Sequence, residues 1–298
     1  MERRTFGELE LELVAEPALR EPHVLAILKP WVDVNSVGSL VLTELERHFE
    51  ARDLGQLARP GTFFDFTRYR PVIHFTEGRR EVGLPNVVIR YAQRDEPPDL
   101  VFLHLLEPHA HGEAFVEGFF EFFQELGVRR YFLLGSMFDA VPHTRPLPLT
   151  GDGYPEQLWE GLAAQGVRRS DYHGPTSIVF LLNHHAPEYG LESLWCIVSL
   201  PQYVQIEEDY MGTLRLLELL RGLYGFPIRD EVFARAEAQR QRLERVVAMK
   251  PELRAAIAQL EEYYEKRLRK PLERPRLSPD FERFLREITK DLGQGDEG

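Results

Sequence analysis

The stretch Arg130-Tyr-Phe-Leu-Leu-Gly-Ser-Met-Phe-Asp-Ala-Val-Pro-His-Thr-Arg-Pro146 decides how the chain is read. Residues 131–134 form an apolar run of strand length, the pattern of a strand buried on both faces. The run is expected to stop at Gly135-Ser136. A polar loop then carries Asp139, His143, Thr144 and Arg145 between two prolines. Loops that follow buried strands hold ligand sites in open α/β sheets. The segment therefore sets a fold class and a place on the fold, without naming a reaction.

Outward from it, strand-like runs alternate with helical patterns. Residues 24–28 and 100–106 are apolar runs that predict buried strands, and residues 194–200 predict a third. Residues 62–66, 72–76 and 87–91 are extended candidates separated by charged or Pro/Gly-rich turns. Residues 177–182 also read as extended, with a short helix or turn at 187–193. Helices are expected over 37–49, where Val37, Leu40, Val41, Leu45 and Phe49 share a stripe, and over 112–126, ended by Gly127. Two more are expected at 155–165 and 209–224. This alternation predicts an α/β fold of three layers, α/β/α, with a mixed sheet.

Composition changes near Pro227. Residues 230–250 are charged and helical, and a second helix through Leu253, Ile257, Leu260, Tyr264 and Leu268 starts at Pro251. A third, capped by Ser278, is expected to reach Leu292. The division expected is an α/β core domain over 1–226, an all-helical extension over 227–292, and a disordered tail over 293–298. The helical stripes either pack on the core or meet another chain.

The bulk properties narrow the function. The chain has 298 residues and a formal net charge of −12. An acidic chain lacks the electrostatic footprint of a non-specific nucleic-acid binder. No run reaches the roughly 18–20 apolar residues of a membrane span, and the start of the sequence has no apolar signal segment. The single cysteine, Cys196, excludes an intrachain disulfide and a four-cysteine zinc site. A cytoplasmic protein that binds neither nucleic acid nor membrane is expected.

The loops after the strands are expected to meet on one rim: residues 31–39, 107–113, 136–145, 183–185 and 201–205. The ligand-binding candidates on them are Asn35, Gly38, Glu107, His109, Ser136, Asp139, His143, Thr144 and Arg145. Asn35-Ser-Val-Gly38 opens a helix, where backbone N–H groups attract anions. Capping by Asn35 or Ser36 is the simpler reading, because neither a P-loop nor a three-glycine fingerprint is present. The Arg145 guanidinium suits a carboxylate or phosphate, or else fixes its own loop against Asp139 or Asp152. His109 and His111 beside Glu107 and Glu113, with His184-His185, look like metal donors. Without convergent spacing they are read as no metal site. Ser136 lies in Gly-Ser-Met rather than a nucleophile elbow, and Cys196 lies in an apolar strand where a thiol is inert. No catalytic residue and no cofactor are assigned.

Four segments resemble a known family, the proteasome assembly chaperone-like proteins, in their bacterial branch. They are Trp31-Val-Asp-Val-Asn-Ser-Val-Gly38, Gly135-Ser-Met-Phe-Asp-Ala-Val-Pro-His-Thr-Arg-Pro146, Gly174-Pro-Thr-Ser177 ahead of an expected strand, and Ser199-Leu-Pro-Gln-Tyr203. The first departs from the family's glycine-rich version, with Lys29, Pro30, Val34 and Ser36 in its place. The resemblance implies a phosphorylase/hydrolase-like α/β fold and a C-terminal helical extension. Archaeal and eukaryotic members act as assembly chaperones or scaffolds and form oligomers. A homo-oligomer, with a trimer among its forms, and a protein partner on its C-terminal helices is therefore the leading expectation. The competing one is an enzyme or sensor for a nucleoside- or phosphate-type ligand. In it Arg145 and the helix start at Asn35–Gly38 hold an anion, and His143 or Glu107 moves a proton.

Overall fold

A computed structural model describes residues 2–76, 78–170, 172–269 and 283. In chain order it runs β1 (Glu2–Phe6), β2 (Leu9–Leu13), β3 (His23–Lys29), α1 (Val37–His48), β4 (Arg52–Leu57), β5 (Val72–Thr76), β6 (Arg79–Gly83), β7 (Val88–Ala92), β8 (Leu100–Leu106), α2 (Gly112–Leu126) and β9 (Arg130–Asp139). It continues with β10 (Leu149–Tyr154), α3 (Glu156–Ala164), β11 (Val167–Arg169), α4 (Ile178–His185), β12 (Glu192–Pro201), α5 (Tyr210–Tyr224), α6 (Asp230–Met249) and α7 (Pro251–Arg269).

Among the described residues ten strands form one sheet in the order β1-β2-β4-β7-β8-β3-β9-β12-β10-β11. The central four, β8, β3, β9 and β12, are parallel. Antiparallel strands extend the sheet through β7, β4, β2 and β1 on one side and through β10 on the other. The sheet is mixed, as expected.

Successive side chains of a strand point to opposite faces, and β3 shows what this does to the core. Val24, Ala26 and Leu28 pack with α2 and α4, whereas Leu25 and Ile27 pack with α1 and α5. Both sets are fully buried, which is why the central strands read as continuous apolar runs rather than alternations. On α2, Phe115, Phe119, Phe120, Phe122 and Phe123 are fully buried against the first face. Each such side chain contributes about 2–3 kcal/mol of apolar burial as an upper bound. Gly127 ends α2 at φ 69°, in the left-handed region a glycine C-cap supplies.

Four expectations need correction. Residues 62–66 are not extended: a short 3₁₀ turn at Pro60–Thr62 is followed by a loop that buries Phe63 and Phe64. Residues 178–182, and with them the strand expected after Gly174-Pro-Thr-Ser177, belong to the helix α4, which Ser177 precedes. The strand β9 does not stop at Gly135-Ser136 but continues to Asp139, paired with β12 along its whole length. Gly135 allows this, because a Cβ there would lie 2.8 Å from Ile197 Cδ1 and closer still to the Val32 carbonyl. Finally, β5 and β6 pair only with each other and stand outside the main sheet.

The described residues past Pro227 are mainly helical, in α6 and α7, and these helices pack on the core. Val232 and Ala236 of α6 are buried, Val232 in the cluster that holds α1 and α5. Leu253, Ile257 and Leu260 of α7 form a small third core with Tyr203 and Val204. The apolar stripe of α7 is therefore used within the molecule. The third helix expected to reach Leu292, and the tail over 293–298, lie outside the described residues apart from Arg283.

Candidate functional site

The C-terminal ends of β3, β8, β9 and β12 share one rim, since these four strands are parallel. The candidate residues fall into two groups along it.

The first group surrounds the ends of β9 and β12. Asn35 sits at φ 52° ahead of α1 and donates from Nδ2 to the Val204 carbonyl at 3.0 Å. Neither Asn35 nor Ser36 caps α1. Asp33 does so from outside, accepting from the Ser39 N–H at 3.1 Å and the Ser39 hydroxyl at 2.5 Å. Gly38 lets α1 approach β3, because a Cβ would come within 2.8 Å of Ile27 Cγ2. Ser136 is fully buried and donates its hydroxyl to the Val34 carbonyl at 2.7 Å. A hydroxyl held this way is a strut between β9 and the loop after β3.

His143 is buried and tied twice to Tyr203. Its backbone N–H donates to the Tyr203 hydroxyl at 2.8 Å, and that hydroxyl shares a second hydrogen bond with Nδ1 at 2.6 Å. Nε2 is buried and has no hydrogen-bond partner among the described residues. Burial pushes the His143 pKa down, although Glu244 and Glu261 oppose this.

The remaining three residues of this group are claimed by α7. Thr144 donates to Glu261 Oε1 at 2.5 Å. Arg145 pairs with Glu261 at 3.0 Å and Glu265 at 3.2 Å. Asp139, the last residue of β9, accepts from the Ser199 hydroxyl at 3.1 Å and pairs with Arg267 at 2.7 Å. Tyr264 adds a bond to the Pro146 carbonyl at 2.8 Å. Arg145 was expected to meet either an anionic ligand or Asp139 or Asp152, and its partners are instead two glutamates one helical turn apart.

The second group, Glu107 and His109, serves the neighbouring loops. Glu107 Oε1 accepts from the Ile178 N–H at 3.0 Å, so its carboxylate sits at the start of α4, where the exposed N–H groups and the helix dipole favour negative charge. Glu107 Oε2 is buried without a partner among the described residues, and burial pushes this pKa up. His109 Nδ1 accepts from the Asp65 N–H at 3.1 Å, its own N–H donates to the Phe63 carbonyl at 2.8 Å, and its ring lies 4.6 Å from Tyr69. It staples the loop over residues 60–69 to the rim.

Among the described residues no set of three or more His, Cys, Asp or Glu side chains is grouped for a metal ion. His111 faces Glu8 at 3.8 Å and His185 faces Glu188 at 3.1 Å, so the histidines of the imagined cluster lie with separate partners. Cys196 is fully buried and burial pushes its thiol up. Beside the rim, a groove of about 590 Å³ runs between residues 143–147, α5 and α6, with Phe233 and Met211 among its apolar walls. Sequence reasoning missed Asp33, Tyr203, Glu261, Glu265 and Arg267. Tyr203 closes the segment Ser199-Leu-Pro-Gln-Tyr203, and Glu261 and Glu265 are spaced i, i+4 on one helical face.

A three-layer α/β/α fold whose parallel strand ends are overlaid by a C-terminal helix defines a class of α/β proteins with a helical extension. The chain belongs to the PAC2 family, whose sequence model matches residues 27–247. Among curated proteins none is detectably similar. Solved structures are similar in fold. A PAC2 family protein from Streptomyces avermitilis MA is 24% identical, with a TM-score of 0.71 over 80% of this chain and 99% of that chain. A proteasome-assembly chaperone homologue from Mycobacterium tuberculosis is 22% identical, with a TM-score of 0.70 over 78% of this chain and 98% of that chain. An archaeal proteasome activator from Pyrococcus furiosus is 16% identical, with a TM-score of 0.63 over 80% of this chain and 99% of that chain. No helix among the described residues is long and apolar enough to cross a membrane.

Proposed function

We propose that this chain is a non-catalytic, homo-oligomeric scaffold of the cytoplasm that binds a protein partner in the manner of an assembly chaperone. The observation that carries this reading is the use made of Asp139, Thr144 and Arg145. The polar groups best placed to hold a small ligand are paired with Arg267, Glu261 and Glu265 of α7. A nucleophile–base pair has no support either, since the Ser136 hydroxyl is committed to a backbone carbonyl. The partner surface in this reading is the outer side of the extension that begins at residue 227. There Met249 is exposed, at 80%.

The relatives described as a proteasome-assembly chaperone homologue and a proteasome activator make proteasome subunits the first partner to test. The full chain is mixed with purified proteasome α and β subunits, singly and as assembled core particles, and followed by sedimentation. Co-sedimentation with one of these species, together with no thermal shift from nucleosides, nucleotides or sugar phosphates, is expected. A thermal shift that saturates with one of those metabolites, without any co-sedimentation, would overturn the scaffold reading.

A further inference from the structure

A second cleft lies near the start of β12, at the other end of the strands from the rim. In the antiparallel ladder Asp152 faces Trp195 and Tyr154 faces Ser193. Residues two apart on a strand share a face, so these four side chains form one patch on the sheet. Trp195 packs with the core that holds α2 and α4, which places the patch on that side. Beside it α4 carries Phe180, Asn183 and His184, at the i, i+3, i+4 spacing of one helical face. β11 pairs with β10 only at residues 149–151, so residues 152–154 have no strand beyond them. Between the strand patch and the helix a cleft of about 470 Å³ is left open.

One polar atom of the lining has no structural use. Asn183 is 7% exposed, and its Nδ2 donates to the Leu194 carbonyl at 2.8 Å. A carbonyl only accepts, so this bond fixes the amide and makes Oδ1 the remaining acceptor. Oδ1 is buried with no partner among the described residues. Buried acceptors are nearly always satisfied, so an orphan calls for a donor. The charge of the lining points the same way, with Asp152 and Glu156 against the single guanidinium of Arg169. Arg169 meets Asp152 Oδ1 at 3.3 Å and Glu156 Oε2 at 2.7 Å, which uses one oxygen of each carboxylate. Arg169 itself rests over the ring of Trp159, which does not line the cleft. The rings that do line it include Phe180 and Trp195, edge to face at 5.1 Å, and Tyr154, half-exposed.

We propose that this cleft binds a guanidinium group carried on a short apolar chain. The flat face of the cation lies on the aromatic walls, and its N–H groups reach Asn183 Oδ1, the Ser193 hydroxyl and the free carboxylate oxygens. An anion would meet an orphan acceptor and two carboxylates. An ammonium group lacks the plane that stacks on a ring while donating from its edge. Two sources supply this chemistry, a free guanidine and an arginine side chain of another protein, and the test separates them. The inference does not rest on the scaffold reading, because no rim candidate and no residue of α6 or α7 lines the cleft.

Isothermal titration of the full chain with N-butylguanidine, its neutral counterpart N-butylurea, and Nα-acetylarginine amide tests it. N-butylguanidine should saturate at one per chain, with N-butylurea weaker by at least about tenfold. Tyr154→Ala and Asp152→Asn change half-exposed side chains. Both should keep the wild-type circular dichroism and weaken N-butylguanidine by about tenfold. Nα-acetylarginine amide binding as tightly as N-butylguanidine would assign the cleft to a protein side chain, and binding of N-butylguanidine alone would assign it to a free guanidine. No saturable binding of either guanidine below about 10 mM would overturn the proposal. So would binding that N-butylurea matches, or that both variants leave unchanged.

Discussion

His23 lies at the start of β3, half-covered by exposure but enclosed by Tyr224 and near Arg130, and its Nδ1 is 3.2 Å from the Tyr224 hydroxyl. Burial, then the charges of Arg130 and Arg94, lower its pKa to about 3 from an ordinary 6.5. Because the folded value lies below the unfolded one, the unfolded chain takes up this proton first as pH falls. Stability is therefore full above about pH 6.5 and drains away toward pH 3. His143 acts in the same direction through burial. Glu107 opposes them, since its raised pKa means that acid relieves a buried carboxylate. Urea titrations across this window should show His23→Gln with a slope shallower than wild type by about 1.4 kcal/mol per pH unit. Parallel slopes would mean that His23 titrates normally in the folded chain.

At the scale of elements, α7 decides what the rim can do. Leu260 is fully buried against Tyr203 and Val204, with Leu253 and Ile257 beside it. Leu260→Ala should weaken this small core by about 2–5 kcal/mol. Hydrogen exchange should then speed up in α7 and across residues 139–147, while β3 and β9 keep their protection. Equal loss of protection throughout would mean that α7 and the sheet unfold as one unit. The same scale shows where the sequence was readable. The two-sided strands β3, β8, β9 and β12 and the stripes of α1, α2 and α5 were legible because burial alone dictates their patterns. The helix α4 was not: Ile178-Val-Phe-Leu-Leu182 is an apolar run with β-branched residues, and a run that short does not separate strand from helix. Its helical state goes with the Glu107 carboxylate at its start and with packing against α2. The strand β10 was missed because Leu149-Thr-Gly-Asp-Gly-Tyr154 carries two glycines. Gly151 is there because a Cβ would strike the Trp195 carbonyl across the ladder, and β4 similarly needs Gly55, where a Cβ would lie 2.7 Å from the Glu12 carbonyl.

For the molecule as a whole, the family and the fold class could be read from a few segments, and the use of the rim could not. Asp139, Thr144 and Arg145 have the chemistry of a ligand site in isolation. Only the placement of α7, more than a hundred residues later in the chain, turns them into the far side of a helix interface. Long-range pairing of this kind leaves no periodicity in the sequence. A double-mutant cycle on Arg145→Ala and Glu261→Ala, read by urea unfolding with and without inorganic phosphate and nucleotides, measures this interface directly. The two changes should couple by about 0.5–1 kcal/mol, the range of a half-exposed ion pair, and anions should alter the stability of no variant. Zero coupling, with an anion-dependent stabilisation that Arg145→Ala abolishes, would show instead that Arg145 is held for a ligand.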